Sequence, residues 1–364
     1  YPIFTLARIK KNLTTIDLCI IGIVILAIAS LLWAEYRDFA ITELRKFIIE
    51  PTLFYLILRT IRPTRETLLR LVDTLIISAI VVCLIGLFQY VQGEGIITAE
   101  AGAKRLASVY GSPNNVGLLL GRAIPFTVAF LLINTDKHRR IFAVIALLIM
   151  TPTLALTQSV GAILMGIPAA IIVILLAIYQ KKSILPIIGV GIVGSLGFVI
   201  LSKLSARFAN LLDFTSGTNF FRLRVWESAI EIIRDHPITG IGLDQFLYLF
   251  SGEYIRPDAI WDRDLSHPHN FILDFWTRLG IIGVIIFIIL QISFWKQAIA
   301  LLKNVRYSDT LIFAIVVGLM GSMADLLTHG LIDNSVFVFD LAFIFMFQLS
   351  LLVSLTNIPT ISDS

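Results

Sequence analysis

The sequence predicts an all-α, polytopic membrane protein of about ten transmembrane helices, and three observations carry that prediction. Of its 364 residues, 57% are hydrophobic, and the mean hydropathy of +0.89 means more apolar surface than a soluble domain of this size buries. Apolar segments long enough to cross ~30 Å of hydrocarbon recur along the chain. The basic residues fall in alternate loops between those segments, the asymmetry that orients membrane helices.

Taken in order, the spans are roughly 14–34, 39–59, 68–92, 113–134, 140–157, 160–180, 184–201, 271–295, 308–329 and 333–356. The second is the weakest, since it carries Glu43, Arg45 and Lys46. Arg8, Lys10 and Lys11 precede the first span, and Arg59, Arg62, Arg65 and Arg70 join the second to the third. Lys137, Arg139 and Arg140 follow the fourth, Lys181 and Lys182 the sixth, and Lys296, Lys303 and Arg306 the eighth. These are alternate loops. By the positive-inside rule they and both termini are expected to be cytoplasmic, with 93–112, 202–270 and the turn near Gly330 on the other side. The whole of 1–364 reads as a single integral-membrane domain. It begins at Tyr1 rather than Met, which leaves room for spans upstream, and no cleavable signal peptide is expected because the first apolar run leads straight into further spans.

Cys19 and Cys83 lie inside apolar runs, so no disulfide framework or metal site is read from them. The formal charge of +4 belongs to the flanks of the spans, which argues for a bilayer rather than nucleic acid as the partner.

The long segment 202–270 should carry structure of its own. Phe221 to Arg234 places Val225, Trp226, Ala229, Ile230, Ile232 and Ile233 against Arg224, Glu227, Ser228 and Glu231. That spacing predicts an amphipathic helix lying along the membrane interface. It should stop at Asp235-His236-Pro237, because proline disfavours helix in the residue before it, and Gly240 and Gly242 then permit tight turns. The segment ends in His267-Pro-His269-Asn270, close behind Asp262, Arg263 and Asp264. Titratable groups concentrated in the one large polar excursion of a bilayer protein mark a site of chemistry, and histidine is the side chain suited to moving a proton near neutral pH. Phe246, Tyr248, Phe250, Tyr254 and Trp261 can stack on sugar faces or anchor an interface equally well.

Arg222-Leu-Arg-Val-Trp226, then His236-Pro-Ile-Thr-Gly240-Ile-Gly242, then His269-Asn270 and Gly280-Ile-Ile-Gly283 resemble the signature of the O-antigen ligase/polymerase (Wzy-C) superfamily. Upstream, Arg105 with Ser112-Pro-Asn-Asn115 resembles the Pro-Asn motif of that family at the head of a span. The motifs cover roughly 105–340 and occur in the expected order. The resemblance implies a GT-C-like membrane glycosyltransferase on the bacterial inner membrane, working at the periplasmic face. It would move a glycan from an undecaprenyl-diphosphate carrier to an acceptor such as lipid A–core. A polysaccharide polymerase or a protein O-oligosaccharyltransferase differs only in acceptor. The resemblance further implies that no metal, cofactor or nucleotide sugar takes part, that His269 is the general base, and that arginines hold the diphosphate.

Arginine forks match phosphate oxygens bidentately and keep their charge, which makes Arg222 and Arg105 expected donor ligands; an interfacial, snorkelling Arg222 is the alternative. His267 is a neighbour of the base or incidental to it, and Asn270 completes the His-Asn pair. Where the family carries an arginine in a Ser-Arg-Gly-like motif, this chain has Gln158-Ser-Val160-Gly161. Arg122, near the middle of the fourth span, is expected to take its place, because a charge at that depth needs a polar cavity or a partner. Arg278 is expected either to do the same or to pair with Asp274 one turn earlier. Asp325 and His329 share a helix face and Asp333 follows across a turn, so the three can orient a catalytic group or form a local cap network. The rival from another class is a small-anion (bicarbonate-like) transporter using Arg122, Arg278 and Asp325 as its path; a large polar loop and the lack of repeated halves speak against it.

Overall fold

The structure, a computed structural model, describes residues 13–61, 63–98, 102–133 and 135–357. Arg8, Lys10, Lys11 and Arg62, used above for orientation, lie outside them, as do the side chains of Trp261 and Asp262. Apolar helices appear wherever the sequence expects a span: α1 (Thr15–Ser30), α2 (Arg37–Glu43, a π-helical turn Leu44–Ile49, and Glu50–Ile61), α3 (Arg65–Gln92), α4 (Pro113–Leu132), α5 (Lys137–Thr157), α6 (Gly161–Lys182) and α7 (Ile184–Leu204). The small helices α8 (Ala206–Ala209), α9 (Gly217–Asp235) and α10 (Phe246–Leu249) build the long polar segment, followed by α11 (Phe271–Val305), α12 (Thr310–His329) and α13 (Phe339–Leu355). Among the described residues seven helices are long and apolar enough to cross a membrane, with α1 and α13 apolar but shorter. The chain is a polytopic, helical membrane protein.

Two expectations need correction. The last span does not begin at 333: residues 330–338 form a loop before α13. The reason is local, because Asp333 Oδ1 accepts from the Asn334 N–H (2.9 Å) and Asn334 Oδ1 from those of Val336 (3.3 Å) and Phe337 (3.0 Å). Side chains that offer acceptors to nearby backbone compete with the helix. The apolar stripe of α9, expected to lie on lipid, is instead packed on protein: Val225, Ala229 and Ile232 join Ile241, Phe246 and Phe250 in a buried core of the segment itself. The helix does end at Asp235 as the proline requires.

The single domain read from the sequence folds as two compact units. The first takes the described residues up to Pro63, then Phe214–Gln297 and Gly330–Thr356; the second takes Thr64–Asp213 and Ala298–His329. Helix α11 thus contributes to both.

In the first unit, α1 opens with a capping box between Thr14 and Asp17. Asp17 also accepts from Tyr55 Oη at 2.6 Å and pairs with Arg59 at 3.4 Å, which ties α1 to α2. The main structural device here is a break in α11. At Gly280 the backbone turns to φ +65°, ψ −171°, and the His236–Gly242 loop docks into the gap. Ile241 N donates to Thr277 O (2.7 Å), Gly242 N to Arg278 O (3.2 Å), and Ile281 N to Pro237 O (3.1 Å). The Trp276 indole adds a bond to the same Pro237 carbonyl at 2.9 Å. The carbonyls orphaned by the break are therefore met by another backbone, which explains why the Pro-Gly motif and the later glycine motif occur together.

A Cβ at Gly280 would collide with the Ile238 carbonyl, at a φ that L-residues rarely adopt. Gly280→Ala is expected to cost at least about 1–3 kcal/mol from backbone strain alone. Gly252→Ala, where a Cβ meets nothing, should be silent in the same thermal-unfolding measurement. Equal unfolding midpoints for the two variants would show that the loop is not locked into the break.

In the second unit α12 is almost wholly enclosed, with α4 and α6 of the same unit packed around it. The short hairpin β1 (Ile96–Thr98) and β2 (Lys104–Leu106) presents Arg105 opposite Ile97.

Candidate active site

His269 lies at the mouth of α11 in the left-handed region, φ +49°. For a residue with a Cβ this is a strained state, held only where surrounding bonds over-determine it. Those bonds come from Asn270. Its Oδ1 accepts from the N–H groups of Ile272 (3.0 Å) and Leu273 (3.1 Å), capping α11. Its Nδ2 donates to Leu331 O at 2.9 Å, and Phe271 N donates to Gly330 O at 2.8 Å. The asparagine beside the histidine thus fixes the helix start and the 330–331 turn together, all within the first unit. The same turn delivers Asp333, whose Oδ1 lies 3.3 Å from His269 Nδ1. Asp333 is 5% exposed, whereas the His269 ring keeps an open edge. A carboxylate on one imidazole nitrogen selects the tautomer and leaves the other to accept a proton.

His267 packs its ring against that of His269, with centroids 4.4 Å apart, and its Nδ1 lies 3.0 Å from Ser266 Oγ. Desolvation and the neighbouring His269, opposed by Asp333 and aided by Arg278, push the His267 imidazole down to about 3. His267 is thus neutral near neutral pH. His267, His269 and Asp333 also place one donor atom each within 4.8 Å of one another. Sequence reading placed no metal here; two imidazoles and a carboxylate can hold a divalent ion, with the fourth position left to solvent or substrate.

Behind the histidines, Arg278 pairs with Asp274 (2.7 Å), as its spacing suggested, and with Glu43. The Phe337 ring covers its guanidinium at 4.9 Å. All three charges are buried. Glu43, which counted against a span, is therefore the partner that lets Arg278 exist inside one. That role had a signal in the sequence, namely two charges of opposite sign within apolar segments, but nothing in it told which pairs with which.

Arg222 lies half-buried on α9 in this same unit. Arg224 beside it is committed to Glu227 and Asp258, both at 2.9 Å. The remaining expected donor ligands are in the second unit. Arg105 donates to Thr157 O (2.8 Å) and to Asn114 Oδ1 (2.6 Å), tying hairpin, α4 and α5 together. Arg122 is 0% exposed and its charge is met by Asp325. The triplet of Asp325, His329 and Asp333 divides: Asp325 and His329 share a buried face of α12 toward Gly166, while Asp333 serves His269. Near the Ser-Arg-Gly-like stretch lies a cation the sequence reading missed, since Arg207 on α8 donates from Nε to Gln158 O at 3.2 Å.

Comparison with known proteins bears on this site directly. Residues 145–288 match the family model described as O-Antigen ligase (Wzy_C). A protein of Rickettsia conorii named as a polysaccharide ligase is 28% identical over 190 residues, which is 50% of this chain and 44% of that protein. A likewise named protein of Rickettsia felis is 25% identical over 250 residues, 66% of this chain and 58% of the relative. A third, from Rickettsia typhi, is 25% identical over 262 residues, or 68% and 59%. The chain spans about half the length of the curated relatives it matches. The family match encloses Arg222, the Pro-Gly loop, His269, Asn270 and the break at Gly280; Asp333 lies beyond it.

Proposed function

From a chain whose residues 145–288 carry the O-antigen ligase family segment, we propose an enzyme that moves a glycan from an undecaprenyl-diphosphate carrier to a lipid acceptor such as lipid A–core. The reaction would take place at the periplasmic face of the bacterial inner membrane. The observation that carries the reading is the strained His269, held against Asp333 at the start of α11. Asp333 keeps the Nδ1–H tautomer, and Nε2 takes the proton of the acceptor hydroxyl. The acceptor oxygen bonds to the anomeric carbon as the bond from that carbon to the diphosphate oxygen breaks. The leaving diphosphate needs a cation, and Arg222, in the same unit as His269, is assigned to it. Ligase is favoured over polymerase because the relatives are named as polysaccharide ligases. Transport of a small anion is disfavoured because Arg122 and Arg278 each face carboxylates of their own unit at rest.

The test is transfer from an undecaprenyl-diphosphate glycan to lipid A–core in proteoliposomes, run with and without excess EDTA. Transfer is expected, and EDTA is expected to leave its rate unchanged. Loss of transfer in EDTA with recovery on Zn²⁺ or Mn²⁺ would instead make His267, His269 and Asp333 a metal site and remove His269 as base. No transfer to any lipid or glycan acceptor would overturn the reading itself.

A further inference from the structure

Three aromatic rings in the first unit have no part in the chemistry above. Tyr248 on α10 stacks on Tyr36, with centroids 4.1 Å apart and planes at 23°, and Phe39 closes on the same Tyr248 ring at 5.2 Å. These rings are not enclosed: Tyr36 is 39% and Phe39 48% exposed.

Rings in a membrane-interface belt serve as amphipathic anchors at headgroup level. Here they are locked. Gln245 is 1% exposed, and its side-chain amide pairs with both backbone groups of Tyr36. Oε1 accepts from Tyr36 N at 2.8 Å, while Nε2 donates to Tyr36 O at 3.2 Å and to Leu243 O at 2.8 Å. A buried amide with its bonds satisfied on both sides holds the two segments in one geometry.

Directly before Gln245, Asp244 adopts φ +52°, the left-handed region again. Its backbone N–H donates to Glu43, and its charge acts on both Tyr248 and Arg278. The carboxylate is therefore close enough to Tyr248 and to Arg278 to act on both. It is half-buried, and among the described residues it accepts no hydrogen bond. A carboxylate on a strained backbone that meets no protein donor is free to accept from a ligand's hydroxyls.

A rigid apolar ring surface edged by one carboxylate fits a pyranose, which has a face of C–H groups and a rim of hydroxyl donors. We propose that Tyr36, Phe39, Tyr248 and Asp244 form a subsite that holds a sugar ring of the glycan substrate. The inference rests on the glycan-transfer reading for the identity of its occupant. It goes beyond that reading by naming where the sugar, rather than the diphosphate, is gripped.

The test is direct binding, separate from turnover. The full chain in lipid nanodiscs is titrated with maltohexaose, chitohexaose and mannohexaose by saturation-transfer NMR. Saturable binding of at least one hexasaccharide is expected. Tyr248→Leu keeps the apolar bulk that a membrane anchor needs but removes the π face, and is expected to weaken binding about two- to tenfold. Asp244→Asn weakens it about tenfold or more, and Tyr248→Trp retains it. Unfolding midpoints equal to the parent's qualify each variant. If no hexasaccharide binds, or if Tyr248→Leu and Asp244→Asn bind as the parent does, the subsite is wrong and the rings are an interfacial anchor. Transfer activity that persists alongside that result would leave the enzyme reading standing, and hexasaccharide binding in a chain without transfer would leave the subsite standing alone.

Discussion

Replacement of His269 by alanine is expected to lower glycan transfer by about 10²–10⁴-fold, the usual contribution of a positioned general base. The loss should appear in kcat with KM nearly unchanged, because the imidazole acts on the proton in flight and not on the bound donor. Asp333→Asn carries the sharper information. It keeps the size of the side chain, and its amide oxygen can go on accepting from the Asn334 N–H and from Nδ1–H, the two bonds that Asp333 Oδ1 makes. What it loses is the negative charge beside the ring, which favours the imidazolium as the proton is taken, so kcat should again fall by about a hundredfold or more. His267→Gln should cost little by comparison, since burial already holds that imidazole neutral. Turnover in His269→Ala within threefold of the parent, in protein that folds normally, would remove the mechanism at its centre.

Helix positions, the end of α9 and the pairing of Arg278 with Asp274 were legible because they depend on local order: apolar length, a proline, and a spacing of four. What was not legible depends on contacts distant in sequence. His269 meets Asp333 across 64 residues, through a turn whose Asx-type bonds look, as sequence, like the start of a span. Glu43 meets Arg278 across 235. Two motifs were visible as strings without a purpose. The Pro-Gly loop and Gly280 are two halves of one splice, in which loop N–H groups satisfy a broken helix. Asn270 is the cap that forces its neighbouring histidine into a strained backbone. Tyr36 and Phe39 were passed over because they sit at the entrance of a weak span, far along the chain from the loop aromatics they join.

The largest effect on stability is expected at Arg122 and Asp325. Both are 0% exposed on α4 and α12, and a Cβ at either Gly121 or Gly166 would collide with the Asp325 carboxylate, so the packing is built around this pair. Removing one partner strands a charge where water cannot reach it, at a cost of about 3–5 kcal/mol. That is a large part of the stability of any domain. Arg122→Ala and Asp325→Ala should therefore each lower the unfolding midpoint steeply and reduce the yield of folded protein. Both would also lose transfer, so neither single variant tells a structural arginine from a donor ligand. The double replacement Arg122→Met with Asp325→Leu does. It exchanges the ion pair for apolar groups of similar shape, a change that is typically neutral to stability or favourable by about 1–4 kcal/mol. With folding recovered, transfer is expected to return to within a fewfold of the parent. The reason is that Asp325 already neutralises the arginine, so nothing at that position is left over for a diphosphate. Recovered folding without recovered transfer would give Arg122 back the donor role its depth in the membrane first suggested.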